Sequence, residues 1–244
     1  MRTMGSIVGW VVLGVSLGWS APPIPLDQVA PATDLAAEIE PLVTIIRQGL
    51  DKPEGYEEHI DKIRQAASVL AVLGQALAEH PEETPWKARG ARLRDVAISL
   101  ARHKTREQAQ EAWSQLEQVL RGETAGESPL DYSWAKLTRM HPAMEEINQR
   151  AAVLRRALRR PKDPAVESRH ASVIAVLALT VHADTHEVKN QDDLPQWQAW
   201  AKALQEYSTA TARAIKEGRT AEAQRALNAA SQTCNQCHEK FHAE

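Results

Sequence analysis

Ala67-Ser68-Val69-Leu70-Ala71-Val72-Leu73 and Ala171-Ser172-Val173-Ile174-Ala175-Val176-Leu177 are one heptapeptide written twice, six of seven residues identical and the other a leucine-to-isoleucine exchange. Neither copy alternates apolar with polar residues as a half-buried strand does. Each reads as part of a helix that is apolar on nearly every side, which belongs at the most buried position of its unit.

Outward from this pair the correspondence continues in the same order. Pro53 matches Pro161 at a spacing of 108; Trp86, Leu93 and Arg102 match Trp197, Leu204 and Arg213 at 111; Ala109-Gln110 matches Ala223-Gln224 at 114. The spacing drifts only at the loops, so the chain reads as a tandem duplication. After Pro31, helix formers dominate and no strand pattern flanked by turn residues occurs. Breaks at 52–55, 79–85, 104–105, 122–129, 160–164, 184–195 and 217–218 divide the chain into two sets of four helices. Four helices joined by short loops predict an antiparallel four-helix bundle. The expected architecture is therefore all-α, two tandem antiparallel four-helix bundles over residues 27–121 and 131–244, with residues 122–130 as the linker.

Residues 1–20 predict a signal peptide: Arg2 precedes an apolar run without charge, Ile7 to Trp19, and Gly18-Trp19-Ser20 offers a cleavage site after Ser20. The run is shorter than a bilayer span, so no stable membrane insertion is expected unless the signal stays uncleaved as an anchor. Either way the folded part is exported, to a periplasm or an equivalent compartment. Cleavage leaves 224 residues (244 minus 20) and a formal charge of −4 (−3 minus 1, with Arg2 gone). That near balance, read as free of basic blocks and basic-plus-aromatic stripes, argues against a nucleic-acid partner.

The last predicted helix ends in Cys234-Asn235-Gln236-Cys237-His238, and the chain has no other cysteine. CxxCH is the attachment pattern of a c-type haem: the thiols add to the two vinyl groups, and the histidine that follows ligates the iron. On a helix, positions i, i+3 and i+4 share a face. Ala223, Ala226, Leu227, Ala230 and Phe241 continue the same stripe, one a flat macrocycle or an ordinary close helix contact can use. Two rival chemistries use the same atoms. Zinc could take Cys234, Cys237 and His238 or His242, but without a second cysteine pair the set is poor. A redox dithiol wants a lowered thiolate pKa, usually at a helix N-terminus, and this motif lies near a C-terminus. His182 and His186 read as solvated residues of a loop, and Glu82-Glu83 and Asp192-Asp193 as loop and cap residues. No nucleophile elbow or phosphate loop appears, so no enzyme is expected.

With Cys234 to His238 near the end of the last of four helices, followed by Glu239-Lys240-Phe241-His242, residues 131–244 resemble the class II c-type cytochromes, the cytochrome c-prime family. That family's motif continues with two residues, an aromatic and an Arg or Lys; His242 departs from it. The resemblance implies haem c, attached through Cys234 and Cys237, ligated by His238 and contacted by Phe241. The sixth iron position is, in the family, vacant beneath an apolar side chain or filled by a first-helix methionine. Met144 is the candidate, with His141-Pro142 read as cap and first helical residue and Ile147 and Ala151 on the Met144 face. A methionine there also serves as plain core filler; Met140 and His141 are weaker candidates. In the first copy the positions of Cys234, Cys237, His238 and Met144 hold Leu120, Glu123, Thr124 and Ala36, so one haem per chain is expected. The implied function is an exported monohaem cytochrome passing single electrons between redox partner proteins. The alternative is binding or sensing of nitric oxide or carbon monoxide at a five-coordinate haem. Family members pair through their bundles, which implies a homodimer or an intramolecular pseudo-dimer.

Overall fold

Both copies of the apolar heptapeptide are buried at every residue, within α3 (Tyr56–Glu79) and α7 (Pro164–Ala183). The computed structural model describes residues 21–51, 56–123, 128–129 and 131–241; the predicted signal segment, the break at 52–55, part of the linker and His242 lie outside them. The other helices are α1 (Ala32–Ala37), α2 (Ile39–Asp51), α4 (Lys87–Ala101), α5 (Arg106–Leu120), α6 (Met140–Ala157), α8 (Leu194–Lys216) and α9 (Thr220–Phe241). Among the described residues there is no strand, and no helix is long and apolar enough to cross a membrane.

Local chemistry sets the ends. Asp163 accepts from the Ala165 and Val166 amides, both at 3.1 Å, with Pro164 opening α7, and Thr105 accepts from Gln108 to start α5. Gly218, at φ 71°, ends α8 in the left-handed region; the Arg219 amide donates to Ala214 at 2.8 Å and that of Gly218 to Ile215 at 3.0 Å. This double bond closes the α8 carbonyls and turns the chain sharply into α9.

Two expectations are corrected. The first helix of the first copy is two pieces, α1 and α2, separated at Glu38. Pro41 has no amide to give the Ala37 carbonyl, and its ring crowds that carbonyl. In the second copy, α6 begins at Met140 with Arg139 as its cap residue and no side-chain cap. His141 is therefore inside the helix, paired with Glu145 at 3.7 Å, and Met144 lies in the second turn.

Within each copy the helices pack in sequence, α2 on α3, α3 on α4 and α4 on α5, then α6 on α7, α7 on α8 and α8 on α9, with α9 also meeting α6. The copies pack on each other through α1, α3, α6 and α7. Asp34 of α1 accepts from Ser172 at 2.8 Å and pairs with Lys216 at 2.7 Å, and Arg169 donates to the Ala37 carbonyl at 2.8 Å. Arg150 of α6, buried, reaches Glu38 at 2.7 Å and Glu146 at 2.5 Å, while Gln65 of α3 donates to Glu146 at 3.0 Å. The break that frees Glu38 from α1 puts its carboxylate in this junction.

Arg150→Met should lower the unfolding free energy by about 3–5 kcal/mol, because Glu38 and Glu146 would stay buried with their cation gone. Lys202→Met, which breaks the exposed pair with Glu206 at 3.5 Å, should change it by under about 1 kcal/mol. Urea unfolding of the two variants reads the contrast.

Candidate functional site

The small-residue stripe of α9 lies inward, with Ala223, Leu227 and Ala230 buried and Cys234 and Cys237 half-buried beyond them. Where this face meets α6, α7 and α8, the side chains leave a cavity of about 510 Å³. Met144, Ile147 and Ala151 of α6 form one wall, and Leu227, Ala230 and Cys234 of α9 the facing one. Ile174 of α7 and Leu204 of α8 close it from the sides, and His238 stands at its exposed rim. A narrow apolar crevice continues from it past Cys237, again bordered by Met144, Cys234 and His238. Cys234, Cys237, His238 and Met144 thus converge on one space. Polar groups sit at its edge: Asn148, Asn235, Ser231 and Arg155, whose guanidinium donates to the Ser231 hydroxyl at 3.4 Å.

Phe241 packs edge-to-face on Trp197 at 5.0 Å and, at 5.9 Å, on Trp200, which borders the crevice, and neighbouring Lys240 pairs with Asp193 at the start of α8. These contacts pin the end of α9 to α8 and so fix where the Cys237 turn sits. Trp197 is itself buried, its indole N–H donating to the Val181 carbonyl at 2.8 Å.

Both cysteines are free thiols. Burial raises the Cys234 pKa, against smaller opposing effects of its own backbone hydrogen bond and Arg155. Burial and the neighbouring Cys234 sulfur push Cys237 up to about 11. This is opposite to the shift a redox dithiol uses. For zinc, no group of three or more His, Cys, Asp or Glu residues able to hold a metal ion occurs among the described residues. The site brings together two thiols on one helical face, an imidazole one residue on and a thioether on the opposing helix beside an apolar cavity, a donor set that could hold a c-type haem.

The first copy has the cavity wall in another form. The positions matching Leu227, Ala230 and Cys234 hold Trp113, Leu116 and Leu120. Leu116 is fully buried, and Trp113 packs on the core beneath the Arg47 guanidinium at 5.8 Å. Gly74 and Gly90 also bring α3 and α4 closer than side chains would allow, since a Cβ at Gly90 would lie 2.6 Å from the Gly74 carbonyl oxygen. Their counterparts at spacings of 104 and 111 are Ala178 and Ala201, and Ala201 borders the crevice. At these positions α5 carries larger side chains than α9, and Gly74 and Gly90 let α3 and α4 approach closely.

Several contributors had no motif to mark them. Arg155, Ser208 and Ile174 line the cavity from three helices, and Thr233, buried on α9 with its hydroxyl donating to the Ala229 carbonyl at 3.1 Å, borders the crevice. His182 is corrected from a solvated loop residue: it lies in the last turn of α7, half-buried, and burial lowers its pKa. His186 does lie in the loop, bonded to Asp184 at 2.7 Å, a contact that raises its pKa.

Compared with protein-family models, curated proteins and solved structures, the chain matches none.

In the haem-free chain the raised thiol pKa values predict slow alkylation at neutral pH. As pH rises through about 11 the Cys237 thiolate should form and its rate climb. An unperturbed cysteine of pKa about 8.5 reaches its plateau more than two pH units earlier. Iodoacetamide labelling followed by peptide mass spectrometry, from pH 6 to pH 11, reads the two profiles.

Proposed function

We propose that this chain is an exported monohaem c-type cytochrome that carries single electrons, built as two tandem antiparallel four-helix bundles of which only the second holds haem. The observation that carries the reading is the convergence of Cys234, Cys237, His238 and Met144 on one apolar cavity. The larger side chains at the matching α5 positions, Trp113, Leu116 and Leu120, support one haem per chain, and the packing of α1 and α3 on α6 and α7 supports an intramolecular pseudo-dimer.

When bound, haem c supplies a one-electron iron couple. The protein's share is covalent attachment through Cys234 and Cys237, an imidazole ligand from His238 and exclusion of water by Ile147, Ile174, Leu204 and Leu227. Met144 holds its thioether toward the same cavity from α6, and a thioether ligand raises the potential relative to imidazole–water ligation.

Co-production with a c-type haem maturation system should yield one haem per chain by pyridine haemochrome and protein assay; Cys234→Ser with Cys237→Ser should yield none covalently bound. Two haems per chain, or none in the wild type, would overturn the reading. The reduced and oxidised spectra assign the sixth position. A low-spin spectrum with a methionine-to-iron band lost in Met144→Ala supports electron transfer. A high-spin spectrum that shifts on adding nitric oxide would instead make gas binding the function of the same cavity. Ala230→Leu, which installs the first copy's residue, should reduce haem incorporation several-fold without loss of helix content by circular dichroism.

A further inference from the structure

The near balance of charge over the whole chain conceals a strongly basic stretch at the end of α6. Arg155-Arg156-Ala157-Leu158-Arg159-Arg160-Pro161-Lys162 carries five cations and no carboxylate, and all five are exposed. The matching stretch of the first copy, 108 residues earlier, is Arg47-Gln48-Gly49-Leu50-Asp51-Lys52-Pro53-Glu54, with two cations and two carboxylates. The same turn is thus +5 in one copy and 0 in the other (2 minus 2). The two stretches share Arg155/Arg47, Leu158/Leu50 and Pro161/Pro53, while the charge differs between them. The basic stretch occurs in the copy that has the cysteine pair.

Nothing nearby neutralises it. Among the described residues, none of the five forms an ion pair, and Arg155 alone has a side-chain partner, the neutral Ser231. The adjacent carboxylates are committed elsewhere. Asp163 caps α7, and Glu167, buried, accepts from the amides of Lys162 at 2.8 Å and Asp163 at 3.3 Å. The α8–α9 turn lies alongside, since Gln224 donates to the Leu158 carbonyl at 2.9 Å, and there Glu217 and Glu222 both pair with Arg219. Arg225, exposed on α9, adds a sixth cation with no ion pair. Complementing the α6 dipole explains Arg155 and Arg156 in its last turn, but Arg160 and Lys162 lie past the helix and beside the positive N-terminus of α7.

We infer that this basic turn, residues 155–162, is the docking surface for an acidic face of a protein redox partner. Arg155 belongs both to the turn and to the lining of the cavity, so a partner held there sits against the end of the site. That the partner is a redox protein rests on the electron-carrier reading; the surface itself does not. A membrane is the poorer match, because the turn exposes only Pro161, Pro164 and Ala165 as apolar groups, with no aromatic or large aliphatic side chain to enter a headgroup layer. Charge on a rim of this kind acts chiefly on encounter rate and is weakened by salt.

The test substitutes the first copy's own residues, Arg156→Gln, Arg159→Asp and Lys162→Glu together, leaving the cavity-lining Arg155 untouched. An unchanged melting temperature checks the fold. By fluorescence anisotropy, a labelled decaglutamate peptide should bind the wild type and lose at least about tenfold in affinity in the variant, as the wild type should when salt rises from about 20 to about 200 mM. In stopped flow, oxidation of the reduced holoprotein by hexacyanoferrate(III) should slow by about tenfold in the variant, while oxidation by the cationic tris(phenanthroline)cobalt(III) should not slow. Equal peptide binding by both proteins would overturn the proposal. So would charge-dependent binding to phosphatidylglycerol vesicles without binding to the peptide, which would make the surface a lipid site. Peptide binding by a chain that takes up no haem would keep the acidic docking surface and sink the cytochrome reading alone.

Discussion

The structure depends on covering two helix segments that have no solvent face, 66–78 of α3 and 171–181 of α7. A helix segment apolar on every side is stable only with neighbours all round, and within its own copy α3 meets chiefly α2 and α4, and α7 chiefly α6 and α8. In this chain the missing cover for α3 and α7 comes from the other copy: α3 meets α6 and α7, and α1 lies on α7. The same requirement explains why the heptapeptide survives in both copies while so much around it has changed. Each copy of it is a wall of its own unit and of the junction.

The junction makes α6 a helix with two occupied faces. Glu146 and Arg150 point to the first copy, where Glu38 and Gln65 receive them. Met144, Ile147 and Ala151 point to the cavity. Against this fixed wall, the hollow is set by side-chain size on α9, where Leu227, Ala230 and Cys234 stand in place of Trp113, Leu116 and Leu120. The fourth helix of the first copy thus carries larger side chains at three matching positions, and glycines stand at its second-to-third helix crossing where the second copy has alanines.

The helical class, the breaks and the buried heptapeptides were legible because they rest on local propensity and on periodicity, which are written in consecutive residues. That Cys234, Cys237, His238 and Met144 border one space could be anticipated because the motif names three of them and the resemblance points to a first-helix methionine as the fourth. What sequence reasoning missed has a common cause. The split at Glu38 follows from Pro41 acting on a carbonyl four residues back, and its purpose shows only when Arg150 is seen opposite. Phe241 lay on the expected stripe, yet Trp197 and Trp200 hold it on α8, a pairing no spacing rule contains. The basic turn was hidden by averaging: a near-neutral chain was read as near-neutral throughout, although 155–162 and 47–54 differ by five charges.

The buried ions behind α6 also bear on how stiff the site is. A centre that gains and loses one electron changes its charge at every cycle, and a wall free to slide would follow that change and dissipate work in doing so. Here the helix that carries Met144 is clamped from its back by Glu38 and Gln65, so its position is set by groups that do not sense the cavity. The first copy, which holds no cysteine, thereby braces the second, and on the electron-carrier reading proposed above such a brace would keep the nuclear rearrangement at each transfer small.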